Sequence, residues 1–144
     1  MGEACRTMTP DPAIGTWQLD LTRSTFRLFP APISIVMNVE PWGQDGLKWR
    51  VQIVDAKRNV LEPEAAYNFD GEDYPLKGFS ILADAVSAKR IDAHNIEKLW
   101  KKDGRVALSG TIVISHDGRV LTYTRRRGRT QAEGACDVLV YERK

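Results

Sequence analysis

An all-β domain of closely spaced antiparallel strands is the fold class that the sequence predicts. Three observations carry the prediction: apolar residues recur with a period of two, Asp-Gly pairs punctuate the periodic segments, and no stretch keeps a helical period over three turns. At 144 residues the chain fits one domain and can bury roughly 70% of the surface its unfolded form exposes.

Residues 1–12 are polar, contain Pro10 and Pro12, and read as a flexible tail ahead of a domain at 13–144. A first strand follows at 14–20. In 33–40, Ile33, Ile35, Met37 and Val39 alternate with Ser34, Val36, Asn38 and Glu40; the run Pro41-Trp42-Gly43-Gln44-Asp45-Gly46 then makes a turn. The return strand, near 47–55, puts Leu47, Trp49, Val51 and Ile53 on one face and Lys48, Arg50 and Gln52 on the other. One dry face and one wet face mark an antiparallel hairpin. Further strands are read near 63–70, 85–91, 95–102, 105–115, 119–126 and 135–143. Asp70-Gly71, Asp103-Gly104 and Asp117-Gly118 supply the positive φ angles that tight hairpins need. Only 79–85 suggests a short turn of helix. About nine short strands leave a sandwich or a barrel, and periodicity alone does not choose.

Hydrophobic content of 42% and charged content of 28% are ordinary for a soluble globular chain. No run approaches the ~18 apolar residues of a membrane helix, and the N-terminus has no basic-then-apolar signal segment, so the expectation is a chain without a membrane partner that is cytoplasmic or has had a secretory signal trimmed, two readings the sequence does not separate. The net charge of +2 argues against a nucleic-acid partner. The local run Arg125-Arg126-Arg127-Gly128-Arg129 reads as a strand end entering a solvated loop, because only Tyr123 lies near it for base stacking. Cys5 and Cys136 do not have a metal-site spacing; Cys136 opens an apolar strand and is expected to be buried, with a bridge to Cys5 left open.

Ile14-Gly15-Thr16-Trp17-Gln18-Leu19 resembles the Gly-x-Trp opening of the calycins, the group of lipocalins and fatty-acid-binding proteins. Val138-Leu139-Val140-Tyr141-Glu142-Arg143 resembles the last strand of fatty-acid-binding proteins, which pairs back with the first. The resemblance spans most of 13–143. It implies a single closed or nearly closed antiparallel β-barrel of about 8–10 strands, with Trp17 plugging one end and Gly15 letting the chain pass tightly. Short stretches, Asp73-Tyr74-Pro75, Lys89-Arg90-Ile91-Asp92-Ala93, Lys101-Lys102-Asp103-Gly104 and Ser115-His116-Asp117-Gly118, are also similar to bacterial lipocalin-like proteins of no settled function. Two departures stand out. Residues 21–32, broken by Pro30 and Pro32, do not fit the helical lid of fatty-acid-binding proteins, and Leu139-Val140-Tyr141 lacks the arginine of their carboxylate-binding Arg-x-Tyr.

Strand alternation then assigns side chains to the interior. The inward sets are Ala65, Tyr67 and Phe69; Val86, Ala88 and Arg90; Ile96, Lys98 and Trp100; and Leu121, Tyr123 and Arg125. This makes Tyr67, Arg90, Lys98, Trp100, Tyr123 and Arg125 the candidate ligand-binding residues. No acidic residue of those four strands falls on the same face, so the cations would need an anionic or phenolic ligand, water, or loss of charge. A one-residue slip would turn all of them outward. Trp42, in a turn, is expected to rim an opening, and Trp49 to lie in the core. His94 and His116 sit in turn sequences, and two histidines make a poor metal site, so no metal is expected. Neither a phosphate loop nor a nucleophile elbow is present, and no cofactor is implied.

The leading expectation is a barrel that binds a small, mostly apolar molecule with a polar or anionic head; about ten buried methylenes would give roughly 8 kcal/mol of gross transfer energy. The alternative is a cofactor-independent enzyme, a lyase, isomerase or cyclase, with Lys98 or Tyr123 as acid or base and Arg125 or Arg90 steadying an anion. The third is a barrel filled by its own side chains and acting as an interaction module. The oligomeric state, homodimer included, stays open.

Overall fold

A computed structural model describes residues 11–79, 82–128 and 135–144. Among these residues the long strands are β1 (Gly15–Leu19), β2 (Ser34–Trp42), β3 (Gly46–Val54), β7 (Ala85–Asp92), β8 (Asn95–Lys102), β9 (Arg105–Ile114), β10 (Val120–Arg127) and β11 (Cys136–Arg143). Between β3 and β7 come three short ones, β4 (Val60–Leu61), β5 (Glu64–Tyr67) and β6 (Tyr74–Pro75). The sheet runs β4-β3-β2-β1-β11-β10-β9-β8-β7-β6, antiparallel throughout, and β5 adds to β3 beside β4. The first strand pairs with the last, with Leu19 opposite Tyr141. Its ends curl together: Asp70↔Lys89 and Glu64↔Lys77 bridge the β5 region to the β6–β7 region. The result is a nearly closed antiparallel barrel, as the sequence predicts.

Local chemistry explains the turns. Asp103 (φ 52°) and Gly104 (φ 82°) both take the left-handed conformation that a two-residue hairpin requires. Asp70-Gly71 differs from the hairpin expectation: it links β5 to β6, which share no ladder among the described residues, and its turn serves the bridge to Lys89. At 79–85 no helix is described; the Phe79 carbonyl accepts from the N–H groups of Leu82 and Ala83, a single turn. A 3₁₀ turn instead occupies Leu21–Arg23, capped by the Asp20 carboxylate accepting from the Thr22 N–H. The chain after it runs beside β11, where Thr25 pairs with Val138, and no lid helix intervenes.

One end of the barrel is plugged. Trp17 is fully buried and its indole N–H donates to the Ala13 carbonyl at 2.9 Å. The Arg143 guanidinium lies 4.3 Å over the Trp17 ring and donates to the carbonyls of Gly118, Ile14 and Pro12. Gly15, at φ 138°, leaves the room this requires: a Cβ there would sit 2.3 Å from the guanidinium. Asp11 and Pro12 are therefore tied down rather than part of a loose tail, while residues 1–10 and Cys5 lie outside the described residues. Cys136 is half-buried and has no disulfide partner among the described residues. No helix among the described residues is long and apolar enough to cross a membrane.

Candidate functional site: a lysine inside the barrel

Alternation holds along the strands that were expected to supply the interior. Ile96, Lys98 and Trp100 are buried on β8, Leu121 and Tyr123 on β10, Val86 and Ala88 on β7, and Ala65 and Tyr67 on β5. Register places Ala88, Lys98, Gly110, Arg125 and Asp137 in one row across β7 to β11. The row thus carries two cations flanking a glycine. A Cβ on Gly110 would meet Tyr123 Cε1 at 2.5 Å and the Thr124 carbonyl at 2.6 Å, so the missing side chain is what lets the Tyr123 ring lie there.

The two cations are treated differently. Arg125 donates through Nε and Nη2 to one oxygen of Asp137 at 3.1 and 3.0 Å, and Asp137 is fully buried. Its other oxygen accepts from the backbone N–H groups of Arg27 and Leu28, both at 2.7 Å. This corrects the expectation that Arg125 awaits an anionic ligand: its counter-ion is built in. Alternation along β11 puts Asp137 on the face of Leu139 and Tyr141, so the signal was in the sequence.

Lys98 is 8% exposed, and among the described residues no carboxylate pairs with it. Its Nζ lies 4.8 Å from the Trp100 ring centroid, 4.9 Å from Trp49 and 5.4 Å from Tyr67. Aromatic faces attract an ammonium, though not enough to replace its hydration. Burial pushes the Lys98 ammonium down to about 7, where it gains and loses a proton near neutrality. Two more polar groups are buried near it, the Tyr67 hydroxyl and the Trp49 indole N–H, which have no hydrogen-bond partner of good geometry among the described residues. Burial raises the Tyr67 phenol well above its ordinary range, and Tyr123 to about 12, so both stay protonated. Tyr123 is already engaged, accepting from the Trp100 indole N–H.

Trp49, Lys98, Trp100 and Tyr123, but not Tyr67, line a cavity of about 60 Å³ together with Ile35, Met37, Val51, Ile53, Ile112 and Leu121, and Arg125 reaches its wall as well. Ligand pockets usually measure roughly 300–1,000 Å³, and one benzene takes about 150 Å³. The interior is therefore mostly filled by its own side chains, and a ligand of ten methylenes does not fit as it stands. Phe79, half-buried and edge-on to Trp100, is the one cavity wall contributed by the β6–β7 connection; it can move without breaking a ladder.

The remaining candidates lie elsewhere. Arg90 keeps its register opposite the buried Ile96, pairs with Asp11 and stacks 4.1 Å over Phe69, towards the plugged end rather than at the cavity wall. There it joins Trp42, His94 and His116 around a broad open depression of about 1300 Å³. The two imidazoles approach to 5.1 Å, and among the described residues no metal-ligating group of three or more forms. In the basic run, Arg125 points inward, Arg127 lies over Phe29 like Arg125, and Arg129 is outside the described residues. The structure thus brings Tyr67, Lys98, Trp100 and Tyr123 together, adds Trp49, neutralises Arg125 and removes Arg90.

No protein-family model matches the chain, and no curated protein matches it. Solved structures do. The fluorescent protein UnaG is similar in its wild-type form, with a TM-score of 0.63 and 14% identity over 92% of this chain and 97% of that one. An asparagine-to-alanine variant of UnaG gives a TM-score of 0.65 at 14% identity, covering 92% of this chain and 96% of that one. At this identity the likeness is one of fold alone, a nearly closed antiparallel β-barrel.

Proposed function

We propose that the barrel binds a small, largely apolar molecule whose acceptor head, a carboxylate or phenolate, meets Lys98. The supporting observation is that the Lys98 amine and the Trp49 indole N–H, both at the cavity wall, have no acceptor of good geometry among the described residues, with the Tyr67 ring packed against both. An anionic head supplies the missing acceptor and returns the charge to the lysine. The cavity of about 60 Å³ limits the occupant to a few heavy atoms, and a longer tail requires Phe79 to swing away. Butyrate and butylamine titrated into ¹⁵N-labelled protein test the reading. Butyrate is expected to shift amides on β3, β8 and β10, with the response lost in Lys98→Met and absent for butylamine. Silence toward butyrate overturns the proposal and leaves the filled barrel as an interaction module.

The proton affinity of Lys98 near neutrality favours a second reading, a cofactor-independent lyase or isomerase with Lys98 as acid and base. Tyr123, held protonated, would act as a donor only. Solvent deuterium exchange into butanone, followed by proton NMR, is expected to depend on Lys98 in that case; exchange unchanged in Lys98→Met contradicts it.

A further inference from the structure

We propose that Lys98 captures a small apolar aldehyde covalently, as an imine within the barrel. The inference rests on the interior being a binding site and adds a bond to it.

Position comes first. Nζ stands among three aromatic rings at the wall of a cavity of about 60 Å³, which holds a few heavy atoms as it stands and a butyl chain once Phe79 moves aside. A lysine held by a carboxylate is a poor nucleophile, and Lys48 and Lys101 are held in this way by Glu64 and Asp73. Lys98 has no such partner among the described residues. Near pH 7 about half of its amine carries a free lone pair, against roughly one part in three thousand for an exposed lysine.

The chemistry balances without a further reagent. The Nζ lone pair forms a bond to the carbonyl carbon, and the carbonyl π pair moves to oxygen, which takes a proton. That proton comes from the attacking nitrogen, which is positively charged once its bond to carbon has formed. The carbinolamine then loses its hydroxyl as water while nitrogen gives up its hydrogen, and the C=N bond forms. Aldehyde plus amine become imine plus water, with no change of oxidation state. Protonated, the imine keeps the same three ring faces around its positive charge. The apolar walls keep water from the C=N bond and slow its hydrolysis.

The test uses the full chain, butanal as probe and sodium cyanoborohydride as trap at pH 7, read by peptide mapping. A single butyl group on Lys98 is expected, formed at least a hundredfold faster than on Lys48 or Lys57, with a rate that rises through pH 7. The α-amino group is mapped separately, and mapping of the unaltered chain decides the matter without a variant. Butylation spread evenly over the lysines overturns the proposal. 1-Butanol, which cannot form an imine, separates the two readings in the same ¹⁵N spectrum. Where butanol shifts the cavity amides and Lys98 stays unmodified, the imine falls and binding stands; where neither occurs, both fall.

Discussion

Arg125 and Lys98 occupy one row of the barrel wall, two strands apart across Gly110, and they differ in one respect: Arg125 faces Asp137, whereas Lys98 faces aromatic rings. The paired cation is structural. Its carboxylate also gathers the backbone N–H groups of Arg27 and Leu28, so one buried charge fixes both β10 and the segment that follows the 3₁₀ turn. The unpaired cation does nothing comparable for the fold, and burial makes it a reactive amine instead. Burial thus yields a staple where a carboxylate is present and leaves a titratable amine where it is absent.

The largest effect is expected from breaking the staple. Asp137→Ala leaves Arg125 buried without a counter-ion and two N–H groups without an acceptor, a loss of about 3–5 kcal/mol on denaturant unfolding. Adding Arg125→Met removes the stranded charge and should recover part of this, but not the part due to the N–H groups.

The lysine should show itself in the pH dependence of stability. Its folded value, about 7, lies below the ordinary 10.5, so between those limits the unfolded chain binds more protons and stability rises with pH. The expected slope is about 1.4 kcal/mol per pH unit. It ends near pH 10, above which the buried phenols of Tyr67, Tyr123 and Tyr141, all raised, favour the unfolded chain. Urea unfolding of Lys98→Met between pH 7 and 9.5 should be flat; a parallel rise in the variant would assign the slope to another group.

A smaller loss follows from filling the gap between the cations. Gly110→Ala pushes against Tyr123 and the Thr124 carbonyl and should cost about 1–3 kcal/mol in thermal unfolding. Smallest is Tyr123→Phe, which strips the Trp100 indole N–H of its acceptor, a loss of about 1 kcal/mol accompanied by altered tryptophan fluorescence.

Much of this was legible in residue alternation. The period of two assigned Tyr67, Lys98, Trp100 and Tyr123 to the interior, because strands of a barrel hold their faces over their whole length. The same rule applied to 135–143 would have found Asp137. What alternation does not reveal is which interior residues meet across the barrel: Lys98 on β8 touches Trp49 on β3, strands separated by the closure of the sheet. Alternation puts Arg90 on the face of Ile96, which its register keeps, but does not reveal its pairing with Asp11, a residue far away in sequence. The two-residue strands β4 and β6 carry no period at all; their neighbours make them.

The central claim is that Lys98 is buried, uncompensated and neutral for much of the physiological range. Lysine labelled with ¹³C at Cε, followed by NMR from pH 5 to 11, tests it most directly. The account predicts one resonance, missing in Lys98→Met, with a transition near pH 7, while the others titrate near 10.5. A Lys98 resonance that titrates with the rest would contradict it.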